Sequence, residues 1–199
     1  MHIFDIINKD KLYKGGIGMK KVLIVVDMQN DFINGVLGTA EAEAILPAVV
    51  DKIMKYRALG AEGRILATKD THFDNYPETR EGRKLPAVHC IRGTVGWEFN
   101  PAVGQALGGE AEVYEKPTFG SEHLAEDLKR TYQGCQDEVE IELIGVCTDI
   151  CVVSNALLIK AVLPEAEISV DASCCAGVTP ESHEAALQTM QMCQITVKR

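Results

Sequence analysis

Asp27, Lys116 and Cys151 are the residues of this chain best suited to making and breaking a covalent bond, and their spacing sets each beside an expected strand or helix end. Asp27 closes the apolar run Lys21-Val22-Leu23-Ile24-Val25-Val26. Lys116 closes Glu112-Val113-Tyr114-Glu115, and Cys151 follows the turn-like stretch Gly145-Val146-Cys147-Thr148-Asp149. The spacing predicts that Cys151 falls in the first turn of a helix, where the helix dipole would lower a thiol pKa by favouring the thiolate. Backbone N–H groups at such a helix start can also hold the oxyanion of a tetrahedral intermediate. Cys147 is the second nucleophile candidate, while Cys174, Cys175 and Cys193 read as structural.

Each residue also has an ordinary reading. A carboxylate at a strand end caps loops, a lysine before a proline is a solvated charge, and a free cysteine is a small buried hydrophobe. The chemical reading requires convergence. If the three side chains meet, the ammonium favours both the carboxylate and the thiolate, and the carboxylate can serve as base, since no histidine lies suitably placed in sequence.

A second constellation is Asp70-x-His72, with His89 downstream. Imidazole and carboxylate two residues apart after a strand suit Zn, Fe or Mn. The same residues also fit a polar loop with exposed histidines.

These residues need a scaffold. The run ending in Asp27 is apolar on both faces, as in strands buried within parallel sheets. Further strands are predicted over 64–68, 112–116, 139–144 and 167–171, with a short one over 194–197. Between them, 41–59 carries Ile45, Val49, Ile53 and Tyr56 at helical spacing and stops at Gly60. Ser121 is placed to cap a helix bearing Leu124 and Leu128. A helix over 150–162 ends before Pro164, and Thr179-Pro180 opens another with proline at the first helical position. Residues 70–110 show little periodicity, and an excursion of that length is usually functional. Alternating strands and helices predict a parallel sheet covered on both faces, with ligands beyond the carboxyl ends of the strands. Asp27, Asp70, Lys116 and Gly145 all fall at that edge.

The 199 residues fit one domain, and 46% hydrophobic with 25% charged residues excludes wholesale disorder. A net charge of −9 argues against nucleic acid or anionic membranes as partners. The chain has seven cysteines, an odd number without framework spacing, which favours a reducing, cytoplasmic setting. No apolar run reaches spanning length. Residues 1–18 read as a mobile extension, or alternatively an arm docked at a subunit interface, with the folded domain spanning 19–199.

Three segments then become recognisable together: Val26-Asp27-Met28-Gln29-Asn30-Asp31-Phe32, Glu115-Lys116-Pro117-Thr118-Phe119-Gly120-Ser121, and Gly145-Val146-Cys147-Thr148-Asp149-Ile150-Cys151-Val152. In this order the chain resembles the isochorismatase-like cysteine hydrolases, most closely their nicotinamidase branch. The resemblance implies a three-layer α/β/α sandwich with a mainly parallel six-stranded sheet and an Asp–Lys–Cys triad of Asp27, Lys116 and Cys151. It also implies a cis peptide bond before Cys147, which would turn the Cys147 N–H, beside that of Cys151, toward an oxyanion.

For the second constellation the resemblance implies a divalent metal, Zn above all with Fe or Mn as alternatives. Its ligands would be Asp70, His72 and His89, and a further acidic ligand would come from Glu81 or Glu78. It implies Phe32 as an aromatic pocket residue. One departure stands out: Leu85 occupies the place where nicotinamidases carry a ring-packing tryptophan. The only tryptophan, Trp97, either covers the site from another side or fills the core beneath the loop. The expected activity is hydrolysis of a small carboxamide such as nicotinamide through a thioester. Hydrolysis of carbamoyl or ureido compounds, or a silent binding role, are the alternatives, and the expected assembly is a homo-oligomer.

Overall fold

In the computed structural model the described residues are 19–199, so the expected N-terminal extension lies outside them. Six strands form one sheet in the order β3-β2-β1-β4-β5-β6. They are β1 (Lys20–Val26), β2 (Gly63–Asp70), β3 (Glu112–Lys116), β4 (Val139–Val146), β5 (Glu167–Ala176) and β6 (Thr196–Lys198). Every neighbouring pair runs parallel, so the expected sheet is parallel throughout rather than mainly so.

The central strand shows why the run at 22–26 is apolar. Val22, Ile24 and Val26 pack into a core with Leu124, Leu128 and Ile159 on one side of the sheet. Leu23 and Val25 pack into a second core with Val49, Ile53 and Val103 on the other. All five are fully buried, which stabilises by about 1.5–3 kcal/mol for each side chain withdrawn from water.

The helices are α1 (Asn30–Ile33), α2 (Ala40–Ala44), α3 (Leu46–Arg57), α4 (Arg80–Lys84), α5 (Pro101–Leu107), α6 (Glu122–Tyr132), α7 (Val153–Val162) and α8 (Pro180–Met192). Ser121 caps α6 by accepting from the Leu124 N–H, and Thr179 caps α8 with Pro180 in its first turn. The single helix expected over 41–59 is instead two, because Pro47 lacks an N–H and restarts the helix in its own first turn. The excursion at 70–110 contains α4 and α5, which its proline and glycine content conceals. Residues 148–152 form a π-helical turn before α7, so Cys151 sits within a widened turn rather than an ordinary first helical turn. Among the described residues no helix is long and apolar enough to cross a membrane.

The chain order places β2 and β3 on one side of β1 and β4, β5 and β6 on the other. A crevice opens where the crossovers part in opposite directions, beyond the carboxyl ends of β1 and β4. Val26 pairs with Gly145 at that edge, which brings Asp27 and the Cys147–Cys151 turn side by side.

Candidate active site

Asp27 leaves β1 with φ of 49°, a left-handed conformation uncommon outside glycine. Its N–H donates to the Thr68 carbonyl at 3.2 Å, and its Oδ1 accepts from the Thr68 hydroxyl at 2.6 Å. The neighbouring strand therefore fixes the carboxylate. Gly145 opposite has φ of 117°, and a Cβ there would stand 2.2 Å from the Val26 carbonyl oxygen. Only glycine permits this approach of β4 to β1.

Lys116 ends β3 with 1% exposure, and its Nζ lies 2.7 Å from Asp27 Oδ2, 3.5 Å from Cys151 Sγ and 3.6 Å from Asp70 Oδ1. The three sequence candidates thus converge on one ammonium. Burial acts against the charge on Lys116, but Asp27, Cys151 and Asp70 outweigh it and hold its pKa above the ordinary lysine range. Burial pushes the Asp27 pKa up, the Lys116 charge pulls it back, and Asp70 adds to the rise. Cys151 differs from its sequence expectation. Burial pushes its thiol well above the ordinary range, the Asp27 charge pushes further, and Lys116 opposes both. Desolvation in a closed turn disfavours the thiolate and opposes any helix-end stabilisation. The Val146–Cys147 peptide bond is cis, as the resemblance implies.

The second constellation assembles as well. One ligand atom each from Asp70, His72 and His89 lie within 4.8 Å of one another, and all three residues are buried. His89 Nδ1 lies 2.8 Å from the Ala87 carbonyl, which only accepts, so Nδ1 carries a proton and Nε2 is the ring nitrogen turned toward Asp70. His89 Nε2 stands 3.3 Å from Asp70 Oδ2. His72 Nε2 lies 3.1 Å from the same oxygen yet makes no hydrogen bond, an unpartnered buried nitrogen aimed at a carboxylate. Glu81 Oε1 is 3.8 Å from that nitrogen. Burial disfavours ionised Asp70, but its two histidines and Lys116 prevail and hold its pKa below the usual carboxylate range. Two imidazoles and one or two carboxylates converging on one point fit a divalent cation. Glu78 lies in the 3-10 turn Tyr76–Glu78, where its carbonyl accepts from Arg83.

A cavity of about 340 Å³ opens over both groups, with Cys151, Cys147, Asp70, Glu81 and His89 in its polar wall. Phe32, Leu37, Leu85, Phe119, Ile150 and Val178 supply the apolar wall. Phe32 meets His89 edge to face, with ring centroids 5.5 Å apart. Trp97 does not reach this cavity. Its indole N–H donates to the Thr71 hydroxyl and its ring carries Lys69 Nζ at 3.5 Å, so it packs beneath the loop.

Two supporting residues escaped the sequence reading. Gln29 accepts from the Asp70 N–H at 2.7 Å and donates to the Asp70 and Trp97 carbonyls, which locks Asp70 against β1. Asn155 donates to the Cys151 and Phe119 carbonyls and accepts from the Ser121 N–H, joining α7 to the loop after Lys116. Both residues are polar yet almost wholly buried. The position of Gln29 two residues after Asp27 was the available signal, but its partners are 41 and 68 residues away.

The fold and this cluster together define a doubly wound α/β/α protein with a buried carboxylate, ammonium and thiol at its switch point. The chain belongs to the isochorismatase domain family, whose model matches residues 21–198. It is 30% identical over 188 residues to the nicotinamidase/pyrazinamidase of Mycobacterium tuberculosis, covering 88% of this chain and 96% of that relative. The crystal structure of a Bacillus subtilis nicotinamidase superposes with a TM-score of 0.77 at 25% identity, covering 91% of this chain and 100% of the other. A Pyrococcus horikoshii pyrazinamidase in complex with zinc superposes with a TM-score of 0.75 at 28% identity, covering 90% and 99%.

Proposed function

We propose that this enzyme, a hydrolase of amide carbon–nitrogen bonds, uses Cys151 to cleave a small carboxamide such as nicotinamide to the acid and ammonia. The observation that carries the reading is the meeting of Asp27, Lys116 and Cys151 at 2.7 and 3.5 Å in a site shielded from water. Asp27 takes the Cys151 proton as Sγ attacks the carbonyl carbon. Burial raises the Asp27 pKa, which makes its carboxylate a stronger base than an ordinary aspartate. The backbone N–H groups of Cys147 and Cys151 receive the developing oxyanion.

Asp27 next returns the proton to the departing nitrogen, leaving a thioester on Cys151 and free ammonia. Water enters, Asp27 takes its proton, and hydroxide attack on the thioester releases the acid and restores the thiol. Lys116 remains charged throughout. It holds Asp27 in place and favours the thiolate form of Cys151.

Asp70, His72 and His89, with Glu81 beside them, would hold a divalent cation, zinc above all with iron or manganese as alternatives. Such a cation supplies a Lewis-acid anchor for a ring nitrogen or similar polar atom of the substrate. Phe32 packs on the substrate ring. The nicotinamidase and pyrazinamidase names of similar proteins, one of them a zinc complex, support this assignment. Residues 19–199 act as one catalytic domain in a cytoplasmic homo-oligomer, with no nucleic-acid or membrane partner.

The test is ammonia release from nicotinamide, pyrazinamide, carbamoyl and ureido compounds, comparing wild type with Cys151→Ala. Release from carboxamides that vanishes in the variant supports the reading. Turnover of carbamoyl or ureido compounds alone moves the substrate class, and turnover that survives the substitution removes Cys151 as nucleophile.

A further inference from the structure

The reaction cavity is not closed on its outer side. Leu85 and Phe119 in its wall are 40% and 49% exposed, an unusual state for large apolar side chains beside a buried thiol. A second cavity of about 420 Å³ begins where they end. Glu81, Leu85, Phe119 and Ile150 line both cavities, so the two adjoin at these side chains. The outer part is bounded by Arg80 and Lys84, one helical turn apart on one face of α4.

Among the described residues those two cations belong to an unpaired minority, with Lys20, Arg57, Arg83, Lys129 and Lys160. Arg64, Lys69, Arg92, Arg130, Lys198 and Arg199 each meet a carboxylate. Among the described residues Arg80 and Lys84 meet none within 4.0 Å, and both are exposed at the outer cavity. A pyridine-sized amide needs only the inner cavity. Two adjoining cavities with a mostly apolar shared wall and two unpaired cations at the outer rim fit a longer molecule, apolar in the middle and negative at its far end.

We propose that the preferred substrate is a primary carboxamide whose acyl part extends past Leu85, Phe119 and Ile150 and ends in a carboxylate paired with Arg80 and Lys84. This inference rests on the amide-hydrolase reading. It gives Leu85 a purpose: a smaller side chain than tryptophan leaves room where the two cavities adjoin.

The test measures kcat/KM of the full chain for four pyridine carboxamides. One is unsubstituted, and three carry a tail of about five atoms ending in methyl, carboxylate or ammonium. Expected is an increase from unsubstituted to methyl to carboxylate, with ammonium lowest. The advantage of carboxylate over methyl should reach about five-fold per cation, the upper end for an exposed ion pair. In Arg80→Gln/Lys84→Gln the carboxylate-to-methyl ratio should fall to near one. Hydrolysis of all four at equal efficiency overturns this inference and leaves the amide reading standing, as does a ratio untouched by the double substitution. Absence of ammonia from every compound overturns the amide reading and this inference with it.

Discussion

The ammonium of Lys116 lies 2.7 Å from the carboxylate of Asp27, with 1% and 0% of the two side chains exposed. An ion pair so withdrawn from water contributes little net stability, because desolvation offsets the attraction, but losing one partner strands a buried charge. Lys116→Met should therefore cost about 3–5 kcal/mol in urea unfolding, whereas Asp27→Asn/Lys116→Met should recover much of that loss. Equal destabilisation by the single and double variants would show that the two charges are not coupled.

Cys151→Ala should leave the unfolding midpoint nearly unchanged while lowering kcat by more than about 1,000-fold, as expected for a nucleophile in a triad. Cys147→Ala serves as the control, because its backbone N–H survives the change. Activity of Cys147→Ala should remain within about ten-fold of wild type.

Gln29 reaches the Asp70, His72 and His89 cluster only through the Asp70 main chain. Chelator treatment should lower both activity and Tm, and zinc or manganese should restore them. Gln29→Ala should weaken metal affinity by about 10–100-fold, the cost of losing an outer support. Competition with a metal-binding dye measures this directly, and unchanged affinity would confine Gln29 to a packing role.

Midway along β4, opposite Leu23 of β1, Glu142 accepts from Lys52, Lys198 and Tyr56 at 3.2, 3.0 and 2.9 Å. Burial raises its pKa, but the Lys198 and Lys52 charges with the Tyr56 hydroxyl overcome this and hold it below the ordinary value. Asp171, 2.7 Å from Lys52, is depressed in the same way. Carboxylates depressed in the folded state stabilise it above their unfolded pKa values of about 4, and that stabilisation fades as pH falls through the lower folded values. Tm of wild type should drop as pH falls below about 4, and Glu142→Gln should flatten the slope. Parallel curves would show that Glu142 is not a source of the dependence.

Gly145→Ala should destabilise the fold by more than about 3 kcal/mol, because its Cβ would overlap the Val26 carbonyl and force β4 from β1 beside Asp27. Gly134→Ala, where a Cβ meets nothing within 4 Å, should change stability by under about 1 kcal/mol.

Much of this molecule was legible in local patterns. The apolar run at 22–26, the capping residues Ser121 and Thr179, and Pro180 at a helix start act over a few residues, and each lies in the expected element. Asp27 and Lys116 were readable because a polar residue ending a strand of a parallel sheet falls at its carboxyl edge. Other features depended on partners far away in sequence. β5 continues to Ala176, five residues beyond its expected end, because its tail pairs with Gly145 and Val146 of β4 after a shift in register. Trp97 packs on Lys69 rather than over the cavity because Thr71 receives its N–H. The sequence by itself determined which side chains could do chemistry and on which edge of the sheet they stand. Only the tertiary structure decided that Lys116 joins Asp27 to Cys151 and that burial pushes the thiol pKa up, because desolvation and charge act through space on atoms that the chain order leaves far apart.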